Sequence, residues 1–406
     1  MREKWISRLV SIHRYPLLHI IEEVLFLVSP FAFIGSISNI IAMSFFTKNG
    51  FFDELFHISQ WLPHFSAYQY SFKTLSTMTM GLLGVYTAYQ MASVMAKHYH
   101  LHTNDSIVGL TSVSSFLILT AKYISSPFGE AALGGIGYQN ILVAIMTGYI
   151  VALFFKIFNQ KSQHLSNILF PMSLCIFIAF GLNKFILLIQ YYLKEPIISW
   201  LLHPLKGMLH LWQSLFGGVL ISIFSWVGFV PHILNNIHVN LDNLEAGMVH
   251  QNMPYPFDAY TLFYNYGQLM LLGFVIALML FSHQYKDKMV GKCSFIPTLF
   301  NQNQFLYVAT PLLFNITYLP GMVIIVLFNM ISSAIAVACH IIPTSSYSEM
   351  IGLPIPFLPL VSTNGSIIAF IFGILLLLVD IYLWRPFIQL DECVMRRLEN
   401  SDENRR

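Results

Sequence analysis

Of 406 residues, 56% are apolar and only 10% charged, and mean hydropathy is +0.65. Soluble globular chains carry roughly a quarter charged residues, so this composition excludes an ordinary soluble enzyme and indicates an all-α polytopic membrane protein. The net charge of +2 provides no basic stripe, which argues against nucleic acid as a partner.

The N-terminal Arg2, Lys4, Arg8 and Arg14 precede a long apolar run that shows no small-residue cleavage site. This start reads as a cytoplasmic anchor for a first span, with lipid as its surroundings. A hydrocarbon core of about 30 Å needs about 20 apolar residues per helix. On that measure spans are expected near 22–46, 73–96, 105–123, 132–158 and 167–192, then near 211–230, 262–283, 309–341 and 366–384. The run 309–341 is long enough to bend at Pro320 and hold two elements.

Between these runs lie two polar, proline-bearing stretches, 231–260 and 293–308. Irregular backbone at membrane depth survives only where protein or a water-filled cavity satisfies it, so these stretches point to two re-entrant hairpins and a binding site. From Gly207 to Trp384 the only Lys or Arg residues are Lys286, Lys288 and Lys292. The positive-inside rule places that segment, read as a short loop, in the cytoplasm together with both termini. Between the halves, Ile197, Leu201, Leu205, Met208 and Trp212 recur at helical spacing opposite His203, Lys206 and His210. They predict an interfacial amphipathic helix over 194–212; an extended start to the sixth span is the alternative. The domains expected are therefore 1–193, the linker 194–212, a substrate-binding domain at 213–390, and a charged tail at 391–406, read as a solvated or frayed helix.

The four cysteines, Cys175, Cys293, Cys339 and Cys393, are widely spaced without a CxxC pair, which gives neither a disulfide framework nor a metal cluster. His98, His100 and His102 alternate, but a helix would spread them around its axis. No metal or cofactor is expected. Glu22 and Glu23 read as interfacial or buried at a helix contact, and Asp380 as paired with Arg385.

The candidate site is the polar content of the two stretches. The first holds His232 and Asn243 among other amide and imidazole groups, and the second holds Asn301, Gln302, Asn303 and Gln304. Such groups both donate and accept hydrogen bonds, as a neutral polyhydroxylated ligand requires. Phe300, Phe305, Tyr307, Tyr255, Tyr260, Phe263 and Tyr264 stand nearby in sequence, and aromatic rings stack on the apolar faces of sugars.

Pro297-Thr-Leu-Phe300-Asn301-Gln302-Asn303-Gln304-Phe305 resembles the P-x-L-F-N-I-N-E-P signature of enzyme IIC. That is the membrane component of the bacterial phosphoenolpyruvate-dependent sugar phosphotransferase system, here its lactose/cellobiose/diacetylchitobiose branch. Pro311-Leu-Leu-Phe-Asn315 resembles its P-I-V-L-N-P, Asn243-Leu-Glu-Ala246 its N-x-A-A, Ser29–Ser36 its M-P-I-I-I-G-S, and Trp384-Arg385-Pro386-Phe387 its Y-x-P-F. The resemblance runs in order from the first span to about residue 390.

It implies about ten transmembrane helices with two re-entrant hairpins, a homodimer in the bacterial inner membrane, and a sugar, a β-linked disaccharide, carried inward. Phosphorylation would then come from a phosphocysteine on a separate enzyme IIB, itself supplied by enzyme IIA. By the same resemblance Asn301, Asn303, Gln304, His232, Asn243 and Asn315 would bind substrate. Gln304 stands where the family keeps a glutamate, and an amide cannot act as a base. His232 lies two residues beyond the histidine of W-x-x-G-I-H-G. These departures support an alternative, a non-transporting sugar sensor built on the same scaffold.

Overall fold

The computed structural model describes residues 2–121, 135–158, 165–202, 208–229, 241–248, 253–309 and 312–403. These are helices and turns, with one isolated bridge pairing Asn140 and Phe229. Among the described residues six helical segments are long and apolar enough to cross a membrane: Pro16–Phe45, Ile168–Leu188, Leu209–Val227, Tyr260–Phe281, Leu319–Ala338 and Ile367–Leu398. Asp105–Thr120 and Ile141–Ile157 are shorter apolar helices. The chain is a multi-pass membrane protein, and its exposed faces carry Phe177, Phe185, Ile335 and Leu378 where a soluble fold would carry charge.

Several expected elements move. Pro320 does not bend a long span. It sits in the first turn of Leu319–Ala338, where a missing N–H costs no helical bond; of the apolar run before it, Ala309 ends the short helix Gln304–Ala309 and residues 312–318 form a turn. The expected span 73–96 is interrupted at Met80–Leu82, between Phe65–Thr79 and Leu83–His98. Lys286, Lys288 and Lys292 lie in the helix Tyr285–Leu299 rather than in a loop. Lys194 to Leu202 continue the helix Leu165–Leu202, so the first half of the expected linker is an extension of the fifth apolar run.

The tail also differs from the expectation of a solvated end. Ile367–Glu403 runs through Pro386 as one helix, and Val394 is buried with Ile6 and Leu9 of the helix Arg2–His13. Apolar side chains on this charged stretch have found a partner that sequence separation conceals. Asp380 is likewise not paired with Arg385. It is fully buried and accepts from Asn329 Nδ2 at 2.8 Å, while the Arg385 guanidinium stands over the Phe281 ring.

The helix Pro16–Ile40 organises the fold because it packs on both halves of the chain. On one side it meets Phe65–Thr79 and Leu83–His98, and on the other Gln304–Ala309 and Tyr285–Leu299. Its Phe33 ring lies edge-on to Phe305 at 5.1 Å. At Gly35 the interrupted helix comes so near that an added Cβ would lie 2.4 Å from Met80 Cβ and 2.7 Å from the Met80 backbone nitrogen. Only glycine permits that crossing.

Gly35→Ala is therefore expected to destabilise the folded chain by about 1–3 kcal/mol, seen as a fall of several degrees in thermal midpoint in detergent. Gly181→Ala, with nothing within 4 Å of the new Cβ, should leave the midpoint unchanged or raise it. Equal effects of the two would refute the close crossing.

Candidate functional site

Four segments converge on the turn 300–303. This turn joins Tyr285–Leu299 to Gln304–Ala309, and Asn301 takes the left-handed conformation at its apex with φ 59°, which asparagine tolerates better than most residues. The turn closes on its own backbone: Asn301 N donates to Thr298 O at 3.0 Å and Gln302 N to Pro297 O at 2.8 Å. Asn39 Nδ2 of the first span donates to Gln302 Oε1 at 2.9 Å, fixing the tip. Phe300 packs against Phe52, which stacks on Phe45 at 4.2 Å.

The third segment is the wide helical turn Tyr260–Gly267 at the head of Leu269–Phe281. Such π-type turns are uncommon and concentrate at functional sites. Here the rings of Tyr260 and Tyr264 stack at 5.4 Å, and Tyr264 Oη lies 3.5 Å from Asn301 Nδ2.

The fourth segment is the irregular stretch 341–366, which turns at Ile355–Ser362. It brings Glu349 to Tyr264, whose hydroxyl donates to the carboxylate, with both oxygens at 2.6 Å. Gly352 of this stretch, with φ +73°, approaches Ser44 so nearly that a Cβ would lie 2.5 Å from Ser44 Cα. Ser44 Oγ donates to Gly352 O at 3.0 Å.

At the centre Asn303 Nδ2 donates to Asn301 Oδ1 at 3.0 Å. The side-chain oxygens of Asn303 and Gln304 are buried without a hydrogen-bond partner, as are Ser294 Oγ and Thr298 Oγ1 on the adjoining helix. Unpaired buried acceptors cost about 1–3 kcal/mol each, and four such oxygens lie on this one helix–turn–helix segment.

The expected site residues divide. Asn301, Asn303 and Gln304 share the hairpin tip. Asn243 does other work: fully buried, it brackets Tyr255 by accepting from its N–H at 3.0 Å and donating to its carbonyl at 2.8 Å, and it donates to Asp258 at 3.2 Å. Asp258 in turn accepts from Thr261 N at the start of the wide turn. Asn243 thus sets the position of the tyrosine segment.

Asn315 belongs to a separate cluster. It donates to Asp391 Oδ1 at 2.9 Å, its oxygen accepts from Thr317 N at 2.8 Å, and its carbonyl accepts from Trp226 Nε1 at 2.8 Å. His232 lies outside the described residues. Sequence reasoning passed over Glu349 as one of a few acids and placed Tyr264 only among neighbouring aromatics. The available signal was isolation, since Glu349 is the only acidic residue between Asp287 and Asp380.

The Asn315 cluster borders a cavity of about 210 Å³ lined by Glu22, Lys286, Asp287 and Asp391 among others. Ser282 Oγ bridges Asp287 at 3.2 Å and Glu392 at 2.9 Å. Burial, reinforced by the charge of Asp391, pushes the Asp287 carboxyl up to about 6, against the opposing Ser282 hydroxyl and Lys286. The folded pKa exceeds the unfolded one, so the folded chain holds the extra proton between them. Stability from this group is present at low pH and lost as pH rises through about 6.

No family model matches the chain. Curated relatives do. The oligo-beta-mannoside-specific EIIC component of a phosphotransferase (PTS) system from Bacillus subtilis (strain 168) is 20% identical over 92% of this chain and 89% of its own length. Lactose-specific EIICB components of Lacticaseibacillus casei and Staphylococcus haemolyticus are 24% and 20% identical over 83% and 87% of this chain. The chain spans about two thirds of those two relatives, 62% and 66%. Among solved structures it is similar to the transporter ChbC, the IIC component from the N,N'-diacetylchitobiose-specific phosphotransferase system, at 18% identity over 97% of this chain and 96% of that one, with a TM-score of 0.42.

Asp287→Asn is expected to raise the thermal midpoint at pH 8 by the equivalent of about 1–3 kcal/mol and to change it little near pH 4. The same change at both values would show that the carboxyl does not titrate as its surroundings dictate.

Proposed function

We propose that the chain, which is similar over most of its length to enzyme IIC components of the sugar phosphotransferase system, is a divergent member of them and a permease subunit. It takes a neutral sugar, a β-linked disaccharide, to the cytoplasmic face, where a separate enzyme IIB charged by enzyme IIA phosphorylates it. The observation that carries this reading is the hairpin tip: three amide side chains, Asn301, Asn303 and Gln304, with two buried acceptor oxygens left for a ligand. Carboxamides and phenols flanked by rings fit sugar hydroxyls better than they fit an ion.

In this reading 285–309, containing the expected 293–308, is one re-entrant hairpin and 341–366, rather than the expected 231–260, is the other, in a scaffold of about ten membrane helices assembled as a homodimer. Residues 213–390 form the substrate domain, and both termini lie in the cytoplasm with Lys286, Lys288 and Lys292. Asn301, Asn303 and Gln304 touch the sugar, His232 is a further binding residue by the sequence resemblance alone, and Asn243 and Asn315 hold the elements that bound it. Gln304 favours a second reading, a sensor that binds sugar without passing it on, because its amide cannot take a proton from an attacking hydroxyl.

The two readings separate in inverted vesicles supplied with phosphoenolpyruvate, the general phosphotransfer proteins and cognate enzymes IIA and IIB. Appearance of sugar phosphate from a disaccharide panel is expected, and Asn301→Ala should cut it by tenfold or more. Sugar-dependent thermal stabilisation without any phosphorylated product would establish the sensor instead. Gln304→Glu is expected to raise the yield; no change in binding or product would remove Gln304 from the ligand.

A further inference from the structure

We propose that Glu349, acting through Tyr264 and Asn301, fixes the orientation of Asn303 so that its buried oxygen accepts a hydrogen bond from a ligand hydroxyl. The site then selects ligand groups that donate. This rests on the sugar-site reading above and adds a positioning residue to it.

The protons and lone pairs of each group fix the direction of the chain. An ionised carboxylate has no proton to give, so the Tyr264 hydroxyl, 2.6 Å from both Glu349 oxygens, must donate. Its single proton spent, the Tyr264 oxygen offers only lone pairs to Asn301, which must therefore turn its NH2 toward the phenol. That leaves Asn301 Oδ1 facing Asn303, which answers with its own NH2 at 3.0 Å.

Every bond in the chain runs one way, from Asn303 to Glu349, and the direction is imposed by the carboxylate at its end. The head of the chain is Asn303 Oδ1, buried and without a partner. Beside it in sequence, Gln304 Oε1 is a second buried acceptor. Bonds aligned head to tail polarise one another, which strengthens the acceptor at Asn303. Glu349 is held in reach by the Gly352–Ser44 contact three residues on, so the anchor of the chain is tied to the first span.

Donor and acceptor analogues test this directly. Purified full-length protein in lipid nanodiscs is titrated with β-mannobiose, cellobiose and lactose, then with monodeoxyfluoro versions of the sugars that bind, since fluorine replaces a hydroxyl of similar size but cannot donate. Wild type is expected to prefer the parent sugar about tenfold over the analogue altered at one particular hydroxyl. In Glu349→Gln the new amide can donate to Tyr264 and let the whole chain reverse, so that preference should fall to about twofold or less while binding of the parent survives. Tyr264→Phe, which cuts the chain, should lose it too, and Glu349→Asp should keep it; thermal midpoints without sugar confirm that each variant is folded. Wild-type preference retained in Glu349→Gln would overturn the proposal and leave the sugar site standing. Loss of all binding in Glu349→Gln with preference intact in Tyr264→Phe would replace positioning by direct contact. Failure of folded wild type to bind any sugar of the panel would overturn the site itself.

Discussion

Backbone that leaves a helix inside an apolar layer has no water to turn to, and each unmatched N–H or C=O costs several kcal/mol. As a re-entrant hairpin, the reading proposed above, the tip at 300–303 lives under that constraint. It is met locally, by donation from Asn301 and Gln302 back to Thr298 and Pro297, and from Tyr307 to Asn303 O at 3.1 Å. Because the backbone satisfies itself, the side chains of Asn301, Asn303 and Gln304 are released for other partners. Asn39 then ties Gln302 to the first span, so a turn that would otherwise drift is referenced to the helix on which both halves of the chain pack.

The same constraint separates polar residues whose groups are spent on the protein from those whose groups are left open. Asn243 and Asn315 spend their donors and acceptors on the protein. Each sits where an irregular segment needs a clamp: the approach to the wide turn in one case, the return from the hairpin in the other. Asn303 and Gln304 keep acceptors unspent. Residue type and motif position are alike in the two groups, and only the inventory of partners distinguishes them.

That distinction marks how far the sequence is legible. The hydropathy runs located the span Tyr260–Phe281 to within two residues and the first span to within six, since burial in lipid leaves a direct trace in composition, whereas 309–341 and 366–384 each missed one end of Leu319–Ala338 and Ile367–Leu398 by ten residues or more. The amides of the hairpin were legible as well, because polar residues in an apolar context are conspicuous. Breaks were harder. Met80–Leu82 carries no proline to announce its interruption, which is set by the crossing at Gly35. Pro320 misled because a proline reads as a bend when its place in the helix is unknown, and the buried charged tail hid because Val394 and Ile6 meet across almost the whole chain. Glu349 was invisible as a site residue for the same reason: its partner Tyr264 lies 85 residues away in the chain, and no spacing rule encodes that pairing.

The wide turn that aims Tyr264 has its own support beneath it. A π-type turn displaces carbonyls from regular helical partners, and Tyr266 O is taken up by Asn329 Nδ2 at 3.2 Å. The same amide group donates to Asp380 Oδ2 at 2.8 Å, and Asp380 reaches that position only because Gly273 leaves room, an added Cβ there lying 2.7 Å from Asp380 Cβ. A buried acid with one amide donor contributes little to stability. It makes sense as a device for holding Asn329 with its NH2 toward the freed carbonyl, by the same logic through which Glu349 orients Tyr264. Half-buried Glu349 and buried Asp380 thus stand at the ends of hydrogen-bond chains that converge on one helical turn, where an acid imposes direction on otherwise neutral groups.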